Sequence, residues 1–445
     1  MRHRAGSAAL LLVLGSGLAD AQGPAGSANP QPSSQTSTSP RPLTLAEAEA
    51  IALKNNPQIT VGRLRALVAE QYVRETRSAL LPNAYLSLTA VDANPGSRIA
   101  AGFLNNPILF PRAAGGASVN QLVTDFGRST NLLSSSELSA KAEDQNAAAT
   151  RADVLLAVDQ AFYNSLDTQA LVHVAEQTVE ARQTLVDKVQ ALTSAKLKSE
   201  LDLSFAKVEL ARAKLLLLES RNNFQAALAG LSAVLGYPAE QNFQLVDETT
   251  PLTPPAPDIQ PLIQQALEQR PEIKALQFEV ASSQKFGNAE HDLWRPSVNA
   301  LGVVGEAPVR DDHIPNWYGA VGVNINIPVF NGFLYNSRAK AADLKTEADR
   351  QRLRDLENTI SRDVRVSWQD TNRAYERLSV TRQLREQANL ALDLAQARYN
   401  LGLGSIVEFT QAELQKTEAD IADADATYQY RLTQLVLAFT VAAPK

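Results

Sequence analysis

The two halves of this sequence repeat each other, and this duplication constrains the fold more than any other feature. Pro57 and Pro271 stand in matching segments and lie 214 positions apart. After a loop that is longer in the first half, the spacing becomes 206 and pairs Asp125 with Asn331. Because a repeat of this size marks a duplicated structural unit, we predict two copies of one arrangement of helices and strands.

Each half also contains very long stretches without glycine or proline, the two residues that most disfavour helix interiors. None occurs in Arg128–Ala229, Leu334–Leu401 or Ser405–Ala443. A helix over residues 128–194 would be roughly 100 Å long at a rise of about 1.5 Å per residue. Helices of globular proteins are usually far shorter, so the pattern predicts an extended coiled assembly.

The remaining segments follow one order in each half. A short helix is predicted at about 43–56 and again at about 258–269, and each stops before a proline that favours the first position of the next helix. Two alternating segments joined by a loop then precede the long helices. The predicted boundaries are 1–21 for a signal peptide, 22–42 for a disordered spacer, 43–240 for the first repeat, 241–257 for a linker and 258–445 for the second repeat.

The N-terminus has the three parts of a secretory signal peptide. A basic start at Arg2–Arg4 precedes the apolar run Ala8–Leu14, and Ala19–Ala21 supplies an A-x-A cleavage site. We therefore predict an exported protein whose mature chain starts at Gln22; the alternative is a short buried helix. No later stretch has the roughly 18 apolar residues of a membrane helix, so any membrane span must use strands.

Heptad patterns on the long helices predict two packing seams. In the first repeat one seam has 3-4 spacing, and a second apolar stripe occupies a neighbouring face. The seam consists of Leu203, Ala206, Leu210, Ala213, Leu217, Ser220, Phe224, Ala227 and Leu231, and the stripe of Leu201, Phe205, Val208 and Leu215. Two seams favour a helix with a neighbour on each side, as in a closed ring. An isolated antiparallel coiled coil is the alternative.

The alternating segments predict membrane strands. The clearest covers residues 317–327, and about ten residues of apolar-out, polar-in alternation are typical of a transmembrane β-strand. One face carries Trp317, Val321, Val323, Ile325 and Ile327, and the other carries Tyr318, Ala320, Gly322, Asn324 and Asn326. Partner strands are predicted at about 83–92, 117–124 and 297–306. Four strands cannot close a barrel, and an open edge is not viable in lipid, so several subunits must share one barrel.

Composition excludes several classes of function. The chain has no cysteine, which rules out disulfides, thiolate metal sites, a thiol nucleophile and a lipidated N-terminal cysteine. A net charge of −6 argues against a nucleic-acid partner. The catalytic motifs H-E-x-x-H and G-x-S-x-G and a phosphate-binding glycine loop are all absent from the sequence. We therefore predict that the protein is not an enzyme and carries no cofactor and no metal.

These features together resemble the TolC-like outer-membrane efflux family. The resemblance rests on the signal peptide, the duplicated helix-strand-strand-helix halves, and the local segments Thr124–Arg128, Pro328–Gly332 and Arg398–Glu408. It covers about 43–443 of the chain. The fold class it implies is mainly α with membrane β-strands, in which each chain gives four strands to a shared trimeric barrel that continues as a helical tunnel.

The resemblance implies a homotrimer that spans the outer membrane and extends into the periplasm. Such a protein is a passive export channel of a tripartite efflux or type I secretion system, and its partners are a periplasmic adaptor protein, an inner-membrane transporter and outer-membrane lipid. Leu403, Gly404 and Ser405 match the helical tip on which the adaptor docks, whereas the first tip has Lys196 and Lys198 where the family has glycine. The alternative function is a periplasmic coiled-coil scaffold or adaptor without membrane strands.

Two acidic residues stand at equivalent positions just after the two tips. In a trimer, Asp202 and Glu408 would form rings of carboxylates at the periplasmic aperture, where the family carries acidic residues. The sequence also allows a structural role, because Ser199 and Ser405 each lie three residues before one of these acids. This is the spacing of a capping box, in which the acid bonds back to the backbone N–H of the N-cap residue. Both interpretations remain open at this stage.

Overall fold

The computed structural model describes residues 41–94, 96, 110–247, 251–309 and 313–442. The predicted signal peptide and all but the last two residues of the predicted spacer lie outside this part of the chain. Within it, the first repeat contains α1 (Leu45–Asn55), α2 (Pro57–Ser78), α3 (Arg128–Ser194) and α4 (Glu200–Val234).

The second repeat reproduces these helices in the same order. It contains α5 (Gln260–Gln269), α6 (Pro271–His291), α7 (Leu334–Asn400) and α8 (Ile406–Thr440). The long helices α3 and α7 both have 67 residues, and α4 and α8 both have 35. The predicted duplication and the predicted long helices are therefore confirmed. In the part of the chain that is described, we find no helix with both the length and the apolar character that a membrane crossing requires.

The strands form two sheets. Their bounds are Arg41–Leu43 for β1, Asn83–Val91 for β2, Arg112–Thr124 for β3, Phe243–Leu245 for β4, Ser297–Glu306 for β5 and Trp317–Asn326 for β6. The four predicted strands are present as β2, β3, β5 and β6, and they make an antiparallel sheet in that order. Strand β3 begins five residues earlier than expected, because its start is built from alanine and glycine rather than from alternating residues.

The pairing of β1 with β4 departs from the sequence prediction. The end of the predicted spacer and the start of the predicted linker instead form a parallel pair, with Arg41 opposite Phe243 and Leu43 opposite Leu245. Strands of three residues show no alternation that a sequence pattern can detect. The linker is also fixed farther on, since the Trp368 indole N–H donates to the Ala256 carbonyl at 2.8 Å.

The buried cores of the two repeats use equivalent residues. In each repeat the short first helix packs on the middle of the 67-residue helix and on the end of the 35-residue helix. The equivalent pairs are Ala52 and Ala266, Val158 and Val364, and Leu231 and Leu437, and all six are buried. Burial of the same apolar positions explains why both halves adopt one arrangement.

Candidate functional site

The strand register divides the four-stranded sheet into an apolar and a polar face. The apolar face includes Leu86, Leu88, Val119, Val304, Val321, Val323 and Ile325, and the polar face includes Ser87, Thr89, Ser118, Asn120, Asn299, Asn324 and Asn326. Leu86 and Val321 are 76% and 93% exposed in the single chain. An exposed apolar face of this extent indicates contact with lipid or protein. The predicted alternation of residues 317–327 is confirmed over β6.

The second helical tip is a tight turn between α7 and α8. Gly402 has φ +74°, a left-handed conformation that glycine adopts without strain. Gly404 is confined by its surroundings instead: a Cβ there would lie 3.2 Å from Arg398 Cβ and 3.3 Å from the Tyr399 backbone nitrogen. The turn therefore needs small residues, and it leaves the Leu403 side chain 70% exposed at the end of the helices.

The first tip has the same backbone despite its lysines. Lys196, which is equivalent to Gly402, has φ +59°. A non-glycine residue in this region costs about 1–3 kcal/mol, so the turn is held by its surroundings. One of these contacts comes from the other repeat: the Lys198 ammonium lies 4.1 Å from the centre of the Tyr399 ring. This cation–π contact joins the two tips of one chain, and the sequence pattern did not predict it.

The two acidic residues of the tips have different partners. Asp202 completes a capping box, because Ser199 Oγ accepts from the Asp202 N–H at 3.1 Å and the Asp202 carboxylate accepts from the Ser199 N–H at 3.3 Å. At the second tip only half of the expected box forms. Ser405 Oγ accepts from the Glu408 N–H at 3.1 Å, but the Glu408 carboxylate forms an ion pair with Arg398 at 3.0 Å. A charged guanidinium is a stronger donor than a backbone N–H.

Buried polar groups link the two repeats close to the tips. Tyr399 is almost fully buried and stacks on Phe409 with ring centres 5.5 Å apart. Burial raises the pKa of the Tyr399 hydroxyl, and the negative charge of Asp202 raises it further. Arg182 of α3 forms a buried ion pair with Glu413 of α8, and burial lowers the pKa of this guanidinium. Breaking such a buried pair by removing one partner is strongly destabilising.

The chain thus combines a four-stranded sheet that has one exposed apolar face with two pairs of long helices that end in tight turns. The residues described contain no group of acidic, histidine or cysteine side chains suited to hold a metal ion. The sequence profile of the outer membrane efflux protein family matches residues 50–237 and 262–442. The chain therefore belongs to the outer membrane efflux protein family.

Individual proteins support the same assignment. Outer membrane protein TolC of Escherichia coli is 22% identical over 395 residues, which cover 86% of this chain and 78% of that protein. The solved structure of CusC has a TM-score of 0.77 at 16% identity and covers 89% of this chain and 91% of CusC. VceC of Vibrio cholerae has a TM-score of 0.74 at 17% identity, with 89% and 95% covered.

The family settles the main functional alternatives. The protein is the outer-membrane channel component of a tripartite efflux system, located in the outer membrane and extending into the periplasm. Proteins of this family are passive conduits and not enzymes, as predicted. The periplasmic scaffold without membrane strands is therefore rejected as a function.

Proposed function

We propose that three copies of this chain form one channel, in which a barrel of twelve strands, four from each chain, continues as a tunnel of helices. The observation that carries this proposal is the pair of open sheet edges. Within the described residues, the outer edges of β2 and β6 have no strand partner. Unpaired backbone groups are not viable in lipid, so the β6 edge of one chain must pair with the β2 edge of the next.

The internal repeat specifies the register of that pairing. Asn83 opposite Asn120 in the first repeat corresponds to Ser297 opposite Asn326 in the second, so both hairpins share one register. The junction between the repeats pairs Ser118 with Val303. The second-repeat equivalent of Ser118 lies 206 positions later, at Asn324. The first-repeat equivalent of Val303 lies 214 positions earlier, at Thr89. We therefore expect Asn324 to lie opposite the partner subunit's Thr89, with both side chains on the polar face.

The helices support the same neighbour. Among the described residues, α6 packs extensively on α3 and on α7, whereas α2 packs extensively on α3 alone. By the repeat, the missing neighbour of α2 is α7 of another chain. Ser282 of α6 hydrogen-bonds Ser135 of α3, with the two Oγ atoms 3.0 Å apart. The equivalent residues Val68 and Ala341 are both exposed, and they would form an apolar contact between subunits.

The seams of α4 also indicate a missing partner. Ala206, Leu210 and Ala213 of the predicted seam are buried within the chain, as expected for an intramolecular contact. The neighbouring stripe is exposed instead, and Leu201 and Leu215 are 64% and 59% accessible. A helix with one covered seam and one exposed seam fits a closed ring of helices and not an isolated coiled coil. An engineered disulfide between residues 324 and 89 tests the pairing, and we expect covalent trimers.

The tips are proposed as the docking surface for a periplasmic adaptor. Leu403 and Leu197 project from the two turns, and both are about 70% exposed. Such apolar side chains at a helical end suit the entry of a partner helix or loop between them. The proposed contact residues of the second tip are Leu403, Gly404 and Ser405. An inner-membrane transporter completes the system through this adaptor.

Asp202 and Glu408 are proposed to line the periplasmic aperture as well as to stabilise the tips. Glu408→Gln removes a negative charge and leaves Arg398 unpaired, so we expect lower cation selectivity in a planar bilayer. The effect should be largest at low salt, since the Debye length is about 30 Å at 0.01 M. The helix start should be unaffected, because Ser405 Oγ and not the Glu408 carboxylate provides the cap.

Ser405→Ala is the matched control for this prediction. It removes the cap but keeps the charge, so it should lower stability by roughly 1 kcal/mol without changing ion selectivity. A Glu408→Gln channel that conducts like the parent protein at every salt concentration would rule out the carboxylate ring at this position.

A further inference from the structure

One tyrosine on the polar face of the sheet lies flat over two glycines. Tyr318 on β6 is directly opposite Gly305 on β5, and Gly305 is opposite Gly116 on β3. A Cβ built at Gly305 would lie 2.6 Å from the Tyr318 hydroxyl oxygen and 2.7 Å from its Cζ atom, and it would come closest to the Gly115 carbonyl oxygen, at 2.5 Å. A Cβ at Gly116 would also overlap the hydroxyl. The ring therefore crosses β5 and ends over β3, in a slot that only glycines leave free.

The slot lies near the end of the sheet that is farther from the helices. Strand β6 runs from Trp317 towards α7, and Tyr318 is its second residue. Its side chain is on the same face as Asn324 and Asn326, which the proposed shared barrel turns towards the water-filled interior. In a barrel of three chains, three such rings would surround the lumen near its outer mouth.

The glycine pair is not required by the duplicated fold. The first-repeat equivalents of Tyr318 and Gly305 are Arg112 and Val91, so the first repeat has neither the tyrosine nor the space for it. Glycine weakens a strand interior, and here two glycines face each other across neighbouring strands. A ring that covers them replaces part of the lost packing. The pair of Tyr318 and Gly305 thus has no counterpart in the first repeat, which argues for a local purpose.

We infer that Gly305 and Gly116 keep the Tyr318 ring folded against the wall of the lumen near the outer mouth, so that the passage stays open. This inference rests on the proposed shared barrel, because only in that barrel does the polar face enclose a lumen. A Cβ at Gly116 displaces the ring, and the side it can move to is the lumen. Gly305 and Gly116 are thus positioning residues for the Tyr318 ring.

The test is single-channel conductance of the purified protein in planar bilayers. Gly116→Ala should reduce conductance, and the double variant Gly116→Ala with Tyr318→Ala should restore it to at least the parent value, because the Tyr318 hydroxyl is the atom that a Cβ at Gly116 meets first. Tyr318→Ala alone should change conductance little, because the ring already lies against the wall. Gly322→Ala is the matched control: it lies on the same face as Tyr318, and a Cβ there would meet only the Leu301 side chain, at an ordinary contact distance of 3.9 Å.

Other outcomes overturn the inference. Unchanged conductance of an assembled Gly116→Ala trimer would show that the ring does not need the slot. A large rise for Tyr318→Ala alone would show that the ring already obstructs the lumen. If Gly116→Ala does not assemble, rescue of assembly by Tyr318→Ala supports the inference and failure of rescue overturns it. A parent protein that forms no trimer removes the shared barrel, and the inference with it.

Discussion

Replacement of Val323 by arginine is expected to prevent stable insertion of the channel into the outer membrane. Val323 lies on the apolar face of β6 and is 65% exposed in the single chain. An arginine on the lipid face near the bilayer midplane costs about 2–4 kcal/mol per chain, and the trimer would carry three copies. The measurement is the amount of detergent-extractable trimer in outer-membrane fractions.

Asn324→Arg is the control for that substitution. Asn324 is the next residue of the same strand, and its side chain points to the opposite, polar face of the sheet. In the proposed barrel this face is solvated, so the charge should be tolerated and assembly should remain near the parent level. Equal losses for both variants would contradict the assignment of the two faces.

Gly404→Trp is expected to abolish export while leaving a folded trimer in the outer membrane. The turn has no room for a large side chain, since even a Cβ would lie 3.3 Å from the Glu408 carboxylate and 3.2 Å from Arg398 Cβ. The indole must therefore project from the tip beside Leu403, where the adaptor is proposed to dock. Cellular accumulation of an efflux substrate measures export, and cross-linking to the adaptor measures docking.

Gly404→Ala provides a graded comparison at the same position. Its single methyl group requires shifts of only a few tenths of an ångström, so export should be reduced far less than by tryptophan. Normal export by a well-expressed Gly404→Trp trimer would remove this turn from the adaptor interface. Loss of the trimer itself would instead show that Gly404 serves assembly of the helical tip.

The helices could be predicted from the sequence because their signals are local. Arg128–Ser194 contains no glycine or proline, and the structure has a helix over this range, in agreement with the predicted extent of about 128 to 194. Pro57 and Pro271 fix the starts of α2 and α6. The internal repeat predicted the remaining helices, since a helix found in one half predicts its counterpart in the other.

Features that depend on distant residues could not be predicted in this way. Strands β1 and β4 pair across the whole first repeat, and each is only three residues long. The ion pair of Glu408 with Arg398 depends on how the turn brings two helices together, whereas the capping-box pattern considers only residues three positions apart. The left-handed Lys196 could have been found from its equivalence to Gly402, which was the one available signal.

The position of the Tyr318 ring could be predicted only in part. Alternation placed Tyr318 on the polar face, and the structure agrees. Its contact with Gly305 and Gly116 depends on the register of three strands, and Gly116 lies on the strand whose start the sequence pattern placed too late. Small residues carry little pattern, so a packing partner made of glycine is detected only once the strands are aligned.

Cysteine cross-linking between the open edges of the sheet tests the shared barrel most directly. The natural chain contains no cysteine, so the variant Asn324→Cys with Thr89→Cys introduces the only two thiols. Both positions lie on the polar face, and residues directly opposite on neighbouring strands have Cβ atoms about 4.5–5.5 Å apart, within reach of a disulfide or a short thiol cross-linker. Oxidised outer membranes should give a band of three chains on denaturing gels.

The matched control moves one cysteine by a single residue. Asn324→Cys with Ala90→Cys places the two thiols on opposite faces of the sheet, so it should give monomers after the same oxidation. We therefore expect covalent trimers for residues 324 and 89 and monomers for residues 324 and 90. Monomers from both variants, in a protein that is inserted and well expressed, would contradict a barrel shared by three chains in this register.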